Sequence, residues 1–313
     1  MATAGQDLEE RRRGERRGKL ALVFVQLFFG LFPLFGKLAM AGFAPMSVAA
    51  WRVLVGAGAL ALVATLAHGR RMLVPWRDLL LLQLCAWLGV VLNMVLFLEG
   101  LQRSTAVNAG LLVATIPVFT FGIAIVARQE RFDLRRGAGI ALASAGVALL
   151  FLQRGPDFTP DTLLGNAMMA LNALCYSLFL VLSRPLLARH PPLVVIAWVF
   201  VLSTTAVPFF LRDAVLVPAG LDTRAWASLA YVLVFPTFLS YLLNTYALSK
   251  VSASTTAVFI FLQPIIAVSS GVLVLGERLL PITLVSAATI LAGVWLVARR
   301  RAPARVATPG ISR

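Results

Sequence analysis

Apolar residues run along this chain in long blocks, broken by short polar and basic connections. A helix needs about 20 mostly apolar residues to cross the hydrocarbon layer of a bilayer. On that rule the pattern predicts spans near residues 19–40, 46–67, 79–100, 104–127 and 137–153. A second set follows near 163–184, 193–211, 225–248, 252–275 and 280–298. Connections such as Gln102-Arg103 and Gly276-Glu277-Arg278 leave no room for a separate soluble domain. Transmembrane β-strands would show alternating segments of about ten residues, and these runs are longer and continuous. The pattern therefore predicts an all-α integral membrane protein with ten transmembrane helices. Residues 1–18 and 299–313 form basic tails around two blocks of five spans, 19–153 and 163–298.

Composition agrees with a lipid-facing exterior. Of the 313 residues, 60% are hydrophobic and 13% charged, and mean hydropathy is +0.89. A soluble domain carries roughly 45–50% apolar and about 25% charged residues, so water could not cover this surface. The formal charge of +15 raises nucleic acid as a partner. That reading needs basic residues gathered on one folded face, whereas here they lie in short clusters between apolar runs, as topology signals do. With the N-terminus inside, the inner segments hold 21 Lys and Arg residues and the outer segments five, with Lys37 and Arg52 inside spans. That asymmetry predicts both termini in the cytoplasm of a bacterial-type inner membrane. Ala39-Met40-Ala41 resembles a signal cleavage site, but the apolar stretch before it is too long for a signal core, and Lys37 intervenes. A retained first span is the better reading. Cys85 and Cys175, each inside an apolar run, read as buried side chains rather than metal ligands. His68 and His190 read as solvated loop residues. No cofactor or metal motif is present.

The two halves repeat at a constant offset of 147 residues. Pro45 matches Pro192, Trp51 matches Trp198, Pro117 matches Pro264, Glu130-Arg131 matches Glu277-Arg278, and Gly146-Val147 matches Gly293-Val294. Each half holds an odd number of spans, so the halves enter the membrane in opposite directions. Inverted repeats of this kind are a recurring design in transporters, with the substrate site near the midplane where the repeats meet.

The stretch from Tyr246 to Phe259, followed by Gln263-Pro264 and Gly276-Glu277-Arg278-Leu279, resembles the EamA-type ten-helix branch of the drug/metabolite transporter superfamily. Its first-half counterpart runs from Leu101 to Asn108, with Pro117 and Glu130-Arg131, and Pro45 and Arg52 also fit. The first half departs from the pattern at Arg128-Gln129-Glu130, where the second has Leu275-Gly276-Glu277. The resemblance covers roughly residues 18–298. It implies export or exchange of small metabolites, often amino acids or related compounds, and in some members amphipathic toxic compounds.

Ionisable residues inside a span are costly, which makes each a functional candidate. Arg52, Glu99 and Lys37 approach the same membrane face. They read either as an Arg52–Glu99 or Lys37–Glu99 ion pair, or as an anion-binding arginine and a proton-coupling carboxylate. Polar and aromatic residues at helical spacing mark further cavity candidates: Gln26, Phe29, Pro33, Asn93, Asn108, Asn172, Tyr176, Ser240, Tyr241, Asn244, Phe259 and Gln263. Interhelical hydrogen bonding is the plainer role for any one of them. Pro117 and Pro264 occupy equivalent places and suggest hinges or fixed kinks. Glu130 and Glu277 fall between spans and suit helix caps or partners for Arg. The small residues Gly137 to Gly146 and Ala287 to Gly293 suit close helix packing inside the bundle, or a weak homodimer. Expected partners are a small-molecule substrate and lipid. An integral-membrane enzyme, a channel and a non-transporting scaffold are the rival classes. HExxH, Walker A, nucleophile-elbow and filter motifs are all missing from the chain.

Overall fold

The computed structural model describes residues 2–104, 106–152, 159–212, 214–220, 222–266, 269 and 281–299, and every regular element among them is helical. We number these helices α1 Ala2–Met40, α2 Pro45–His68, α3 Trp76–Gln102, α4 Asn108–Val126 and α5 Leu134–Leu152. The second half supplies α6 Thr162–Arg189, α7 Pro192–Phe210, α8 Thr223–Lys250, α9 Ala253–Ile266 and α10 Pro281–Ala298. Eight of them, all except α1 and α9, are long and apolar enough to cross a membrane. In α1 the segments Glu9–Phe32 and Leu34–Met40 pass the same test together, with a 42° bend between them. Pro33 stands at that bend, where its missing N–H opens the ladder. The end of the expected span at 252–275 lies outside the described residues, as do Gly276, Glu277 and Arg278.

The helix boundaries have local causes. Pro45 and Pro192, one repeat apart, each open a helix at a position whose N–H would have no helical partner. Gly69 ends α2 with φ +49°, a conformation that glycine adopts freely. Arg128 ends α4 with φ +56°, so a left-handed residue stops the first-half helix where the sequence showed no glycine. Residues 2–18 of the basic tail are helical and run on into the first span, with Glu9 and Arg13 spaced for an i,i+4 pair.

Packing follows the repeat. Trp51, near the start of α2, donates from Nε1 to the Leu216 carbonyl beyond the end of α7 (2.8 Å). Trp198, near the start of α7, donates to the Met72 carbonyl beyond the end of α2 (2.8 Å). The two helices therefore run in opposite directions past each other. The pair α5 and α10 behaves alike. A Cβ on Gly139 would meet the Gly293 carbonyl at 2.9 Å, and one on Gly146 would meet the Ser286 carbonyl at 3.0 Å. Gly139 and Ser286 are one repeat apart, as are Gly146 and Gly293, so these small residues serve contact between the halves.

The exterior is apolar and the interior holds polar groups. Leu62, Leu66, Val126, Phe209 and Trp295 are exposed, whereas Gln26, Arg52, Asn108, Asn172 and Asn244 are buried. That distribution suits a protein whose surrounding solvent is hydrocarbon. Cys85 and Cys175 are buried and free. His190 corrects its reading as a solvated residue: its Nε2 lies 2.6 Å from the Asp78 carboxylate, which also accepts from Arg189 (2.5 Å). Asp78 is buried at the start of α3.

Candidate functional site

A cavity lies where α1, α2, α3, α4, α6, α8 and α9 converge, with about 90 Å³ open to water. Val25, Gln26, Phe29, Arg52, Asn93, Met94, Phe97, Val113, Ile116, Asn172, Tyr176, Tyr241, Ile260 and Gln263 line it. Arg52 is the one charged side chain among the described lining residues and is 3% exposed. The Arg52 Nε donates to Thr237 Oγ1 (2.8 Å), and the guanidinium lies 4.9 Å from the centre of the Phe32 ring. Its terminal nitrogens have no protein partner among the described residues, and the expected Arg52–Glu99 ion pair does not form. Glu99 instead pairs with Arg103 one turn along α3, away from the cavity. The reason is reach: i,i+4 neighbours on one helix face meet without crossing the bundle.

Neutral polar groups complete the wall. Gln263 Nε2 donates to Gln26 Oε1 (2.7 Å), joining α9 to α1. Asn172 Nδ2 donates to the Asn93 carbonyl (2.7 Å), and Asn244 Nδ2 donates to the Tyr176 hydroxyl (3.2 Å). The Tyr241 hydroxyl donates to the Gly89 carbonyl (3.1 Å), and its ring meets Phe29 edge-on at 6.4 Å.

Most of this lining comes in pairs one repeat apart: Val25 with Asn172, Phe29 with Tyr176, Met94 with Tyr241, Val113 with Ile260, and Ile116 with Gln263. The helices that carry them are interrupted at matching places. A π-helical turn occupies Trp87–Val91 in α3, and another occupies Leu233–Leu239 in α8. Gly89 and Pro236, one repeat apart, sit inside these turns. Pro236 lacks the N–H that a regular α8 would need. At Gly89 the Phe179 ring fills the space of a Cβ, at 2.5 Å. Widened turns of this kind expose carbonyls and recur at functional sites. Here Tyr241 takes up Gly89's, while Thr237 Oγ1 donates back to the Val232 carbonyl (2.8 Å). Pro117 and Pro264 act similarly. α4 breaks at Ala114–Thr115, and a 3₁₀ turn at Phe259–Phe261 interrupts α9. Each proline leaves the carbonyl four residues earlier without an α-helical donor. Those are the carbonyls of Val113 and Ile260, both cavity-lining residues.

Of the residues expected at a cavity, Gln26, Phe29, Arg52, Asn93, Asn172, Tyr176, Tyr241 and Gln263 meet there. Asn244 stands behind Tyr176 as its hydrogen-bond partner. Asn108 lies elsewhere: its Nδ2 donates to Asn166 Oδ1 (2.9 Å), which also accepts from Ser104 (2.6 Å). Phe259 packs with Ala21, Leu22, Ala247 and Val251 outside the cavity. Ser240 is buried with its hydroxyl unpaired. The side chains of Pro33 and Lys37 lie outside the described residues. Met94, Val113 and Ile260 carried no individual sequence signal, since an apolar residue in a span looks alike on every face. Their spacing by the repeat from candidate or proline-flanked positions was the available clue.

Polar ties cross between the halves at both ends of α4. At its start stands the Ser104–Asn108–Asn166 cluster. Beyond its end, the Glu130 carboxylate accepts from the Ser254 N–H (3.1 Å), the Ser254 hydroxyl (2.5 Å) and Arg136 Nη1 (2.5 Å). Glu130 thus caps α9 from the first half, as a carboxylate at a helix N-terminus favours. Nearby, Arg184 Nη1 donates to the Val251 carbonyl (2.5 Å).

An apolar helical shell around an interior cavity with polar groups in its wall defines an integral membrane protein. The chain belongs to the EamA-like transporter family, which it matches over residues 16–152 and again over 163–299. It is thus a tandem repeat and a transporter-family protein rather than an enzyme. Among its relatives is a probable terminal-alkyne amino-acid exporter of Streptantibioticus cattleyicolor, 30% identical over 237 residues, covering 75% of this chain and 78% of that one. An uncharacterized transporter of Archaeoglobus fulgidus is 24% identical over 283 residues, 90% of this chain and 99% of that one. A protein of known crystal structure shares the fold with a TM-score of 0.76 at 18% identity, covering 89% of this chain and 95% of that one.

Proposed function

We propose that this protein is a secondary-active or facilitative carrier that exports a small polar metabolite, such as an amino acid or a related amphipathic compound. In this reading ten transmembrane helices form two inverted five-helix repeats, which rock about a shared site with both termini in the cytoplasm of a bacterial-type inner membrane. The observation that carries it is the cavity wall, much of it assembled from residues one repeat apart, in a bundle whose repeat-related α2 and α7 run past each other in opposite directions. A site so placed is what two similar half-bundles can expose to either side in turn. The polar ties at the two ends of α4 then act as alternate closures, one broken while the other forms. The interrupted turns at Gly89, Pro117, Pro236 and Pro264 serve as bending points. No ATP-binding motif is present, so a solute or ion gradient, or exchange, drives the flux.

The substrate class follows from the charge in the wall. Among the described residues, Arg52 offers unpaired guanidinium donors and the lining holds no carboxylate. The site therefore favours a carboxylate or similar anionic group, with amide and hydroxyl groups for the remainder. An amino-acid exporter among the relatives is consistent with this. Purified protein in proteoliposomes tests the reading. Saturable uptake of a labelled amino acid, accelerated by unlabelled solute inside the vesicle, is the expected result. A complete lack of flux and counterflow across a broad panel of amino acids and organic anions would overturn it in favour of a membrane scaffold.

A further inference from the structure

A second cavity, of about 530 Å³, opens on the face of the bundle where α1 meets the ends of α6, α8 and α10 and the starts of α5 and α9. It shares no lining residue with the cavity around Arg52. Its charge is lopsided: seven cations, Arg11, Lys19, Arg135, Arg136, Arg184, Lys250 and Arg299, share the described lining with two carboxylates, Glu15 and Asp133, while Arg136 also pairs with Glu130 behind it. Several of these cations are held in place by neutral groups. Lys19 Nζ donates to the Ala298 carbonyl (2.7 Å) and Arg184 to the Val251 carbonyl (2.5 Å). Lys250 lies over the Tyr246 ring and Arg299 over the Trp295 ring, at 5.8 Å and 4.9 Å. The rings orient Lys250 and Arg299 while leaving their charge in place, and cations outnumber carboxylates among the described lining residues. The result is a concave positive site, where a low-dielectric wall concentrates the field. Several guanidinium and ammonium donors converging in this way suit the tetrahedral oxygens of a phosphate group.

The surroundings say what carries the phosphate. Leu296 and Val297 form an apolar wall of the pocket. Leading away from it, α1 exposes Leu20, Phe24 and Leu27, and α10 exposes Leu284, Leu291 and Trp295. A headgroup seated among the cations would lay its acyl chains along these two apolar faces. Trp295, one turn before Arg299, stands where interfacial aromatic residues anchor helices at the headgroup level. Basic pockets between membrane helices are suited to anionic headgroups for these reasons. We infer that this pocket binds the phosphate of an anionic phospholipid and thereby fastens α1 to the ends of α8 and α10. The site lies on the face that gathers most of the protein's basic residues, where an anionic leaflet would supply its ligand.

The test uses the full chain in a neutral detergent, with thermal unfolding as the readout and phosphatidylglycerol as the probe. A ligand that binds only the folded protein raises its melting temperature. Phosphatidylglycerol should raise it by at least about 3 °C, and phosphatidylcholine at the same mole fraction should not. The double variant Arg11→Gln/Lys250→Gln, which removes two exposed cations, should keep the lipid-free melting temperature and lose at least half of the lipid shift. Arg77→Gln, a surface cation outside the pocket, should keep the whole shift. Equal stabilisation by the two lipids, or an undiminished shift in the double variant, overturns the assignment. An equal shift with inorganic phosphate alone also overturns it, because the occupant would then be a free anion.

Discussion

Arg52 shows how one residue sets the character of the site. A buried guanidinium is expensive, and here its compensation from protein consists of Thr237 and the face of Phe32. In the proposed reading the remaining donors take an acidic group of the transported solute. Removing a charged hydrogen bond costs about 1.5–3 kcal/mol, so Arg52→Ala should weaken binding of a carboxylate-bearing solute by roughly 10–100-fold. Arg52→Lys should recover part of the affinity, since it restores charge without the planar fork. Concentration-dependent counterflow of each variant, at matched protein levels, measures this; an unchanged half-saturation for Arg52→Ala would remove the residue from binding. Arg52 was legible because a cation in an apolar run stands out at once. Its Thr237 partner is 185 positions away, and nothing local announces that distance. Glu99 was harder to read for a related reason: the sequence shows depth along a helix but not the direction a side chain faces. Arg103 one turn away was the nearer answer.

At the scale of elements, the lengths of the helices follow from the bilayer and were readable as such. Their interruptions were readable only where proline marks them. The turn at Pro236 has a covalent cause, whereas its counterpart around Gly89 depends on the Phe179 ring arriving from α6. That second cause is tertiary and leaves no trace in the local sequence. The glycines of α5 and α10 were legible as a small-residue stripe, with their partner left open between this chain and a second copy. The structure places them against each other across the two halves. Gly146→Leu would drive a side chain into Ile290 and the Ser286 carbonyl, which stand at 2.8 Å and 3.0 Å from an ideal Cβ. Overpacking of this kind costs typically about 1–3 kcal/mol. The variant should unfold at lower temperature in detergent, with no change in oligomeric state by size-exclusion chromatography. A change from one oligomeric state to another, with stability intact, would mean that the stripe serves contact between copies instead.

For the whole molecule, the direction in which each half enters the membrane decides the mechanism. The tandem match says that the halves are alike, but likeness alone allows either parallel or inverted insertion. Two observations favour inversion. Five predicted spans per half return the chain to the opposite face, and α2 passes α7 head to tail, with the Trp51 and Trp198 bonds exchanged between their ends. If so, the connection after α4 and its equivalent one repeat later face opposite compartments. Arg128 is exposed in the first connection, and Arg278 belongs to the second. In a Cys85→Ala/Cys175→Ala background, Arg128→Cys should react with a membrane-impermeant maleimide only after permeabilisation of intact cells. Arg278→Cys should react without it. The native cysteines are buried, so their removal guards against background rather than altering a surface. Labelling of both positions from one face would leave the repeat intact as an evolutionary fact but remove the opposed half-bundles. The rocking motion, and the closures assigned to the two ends of α4, depend on that opposition and would fall together.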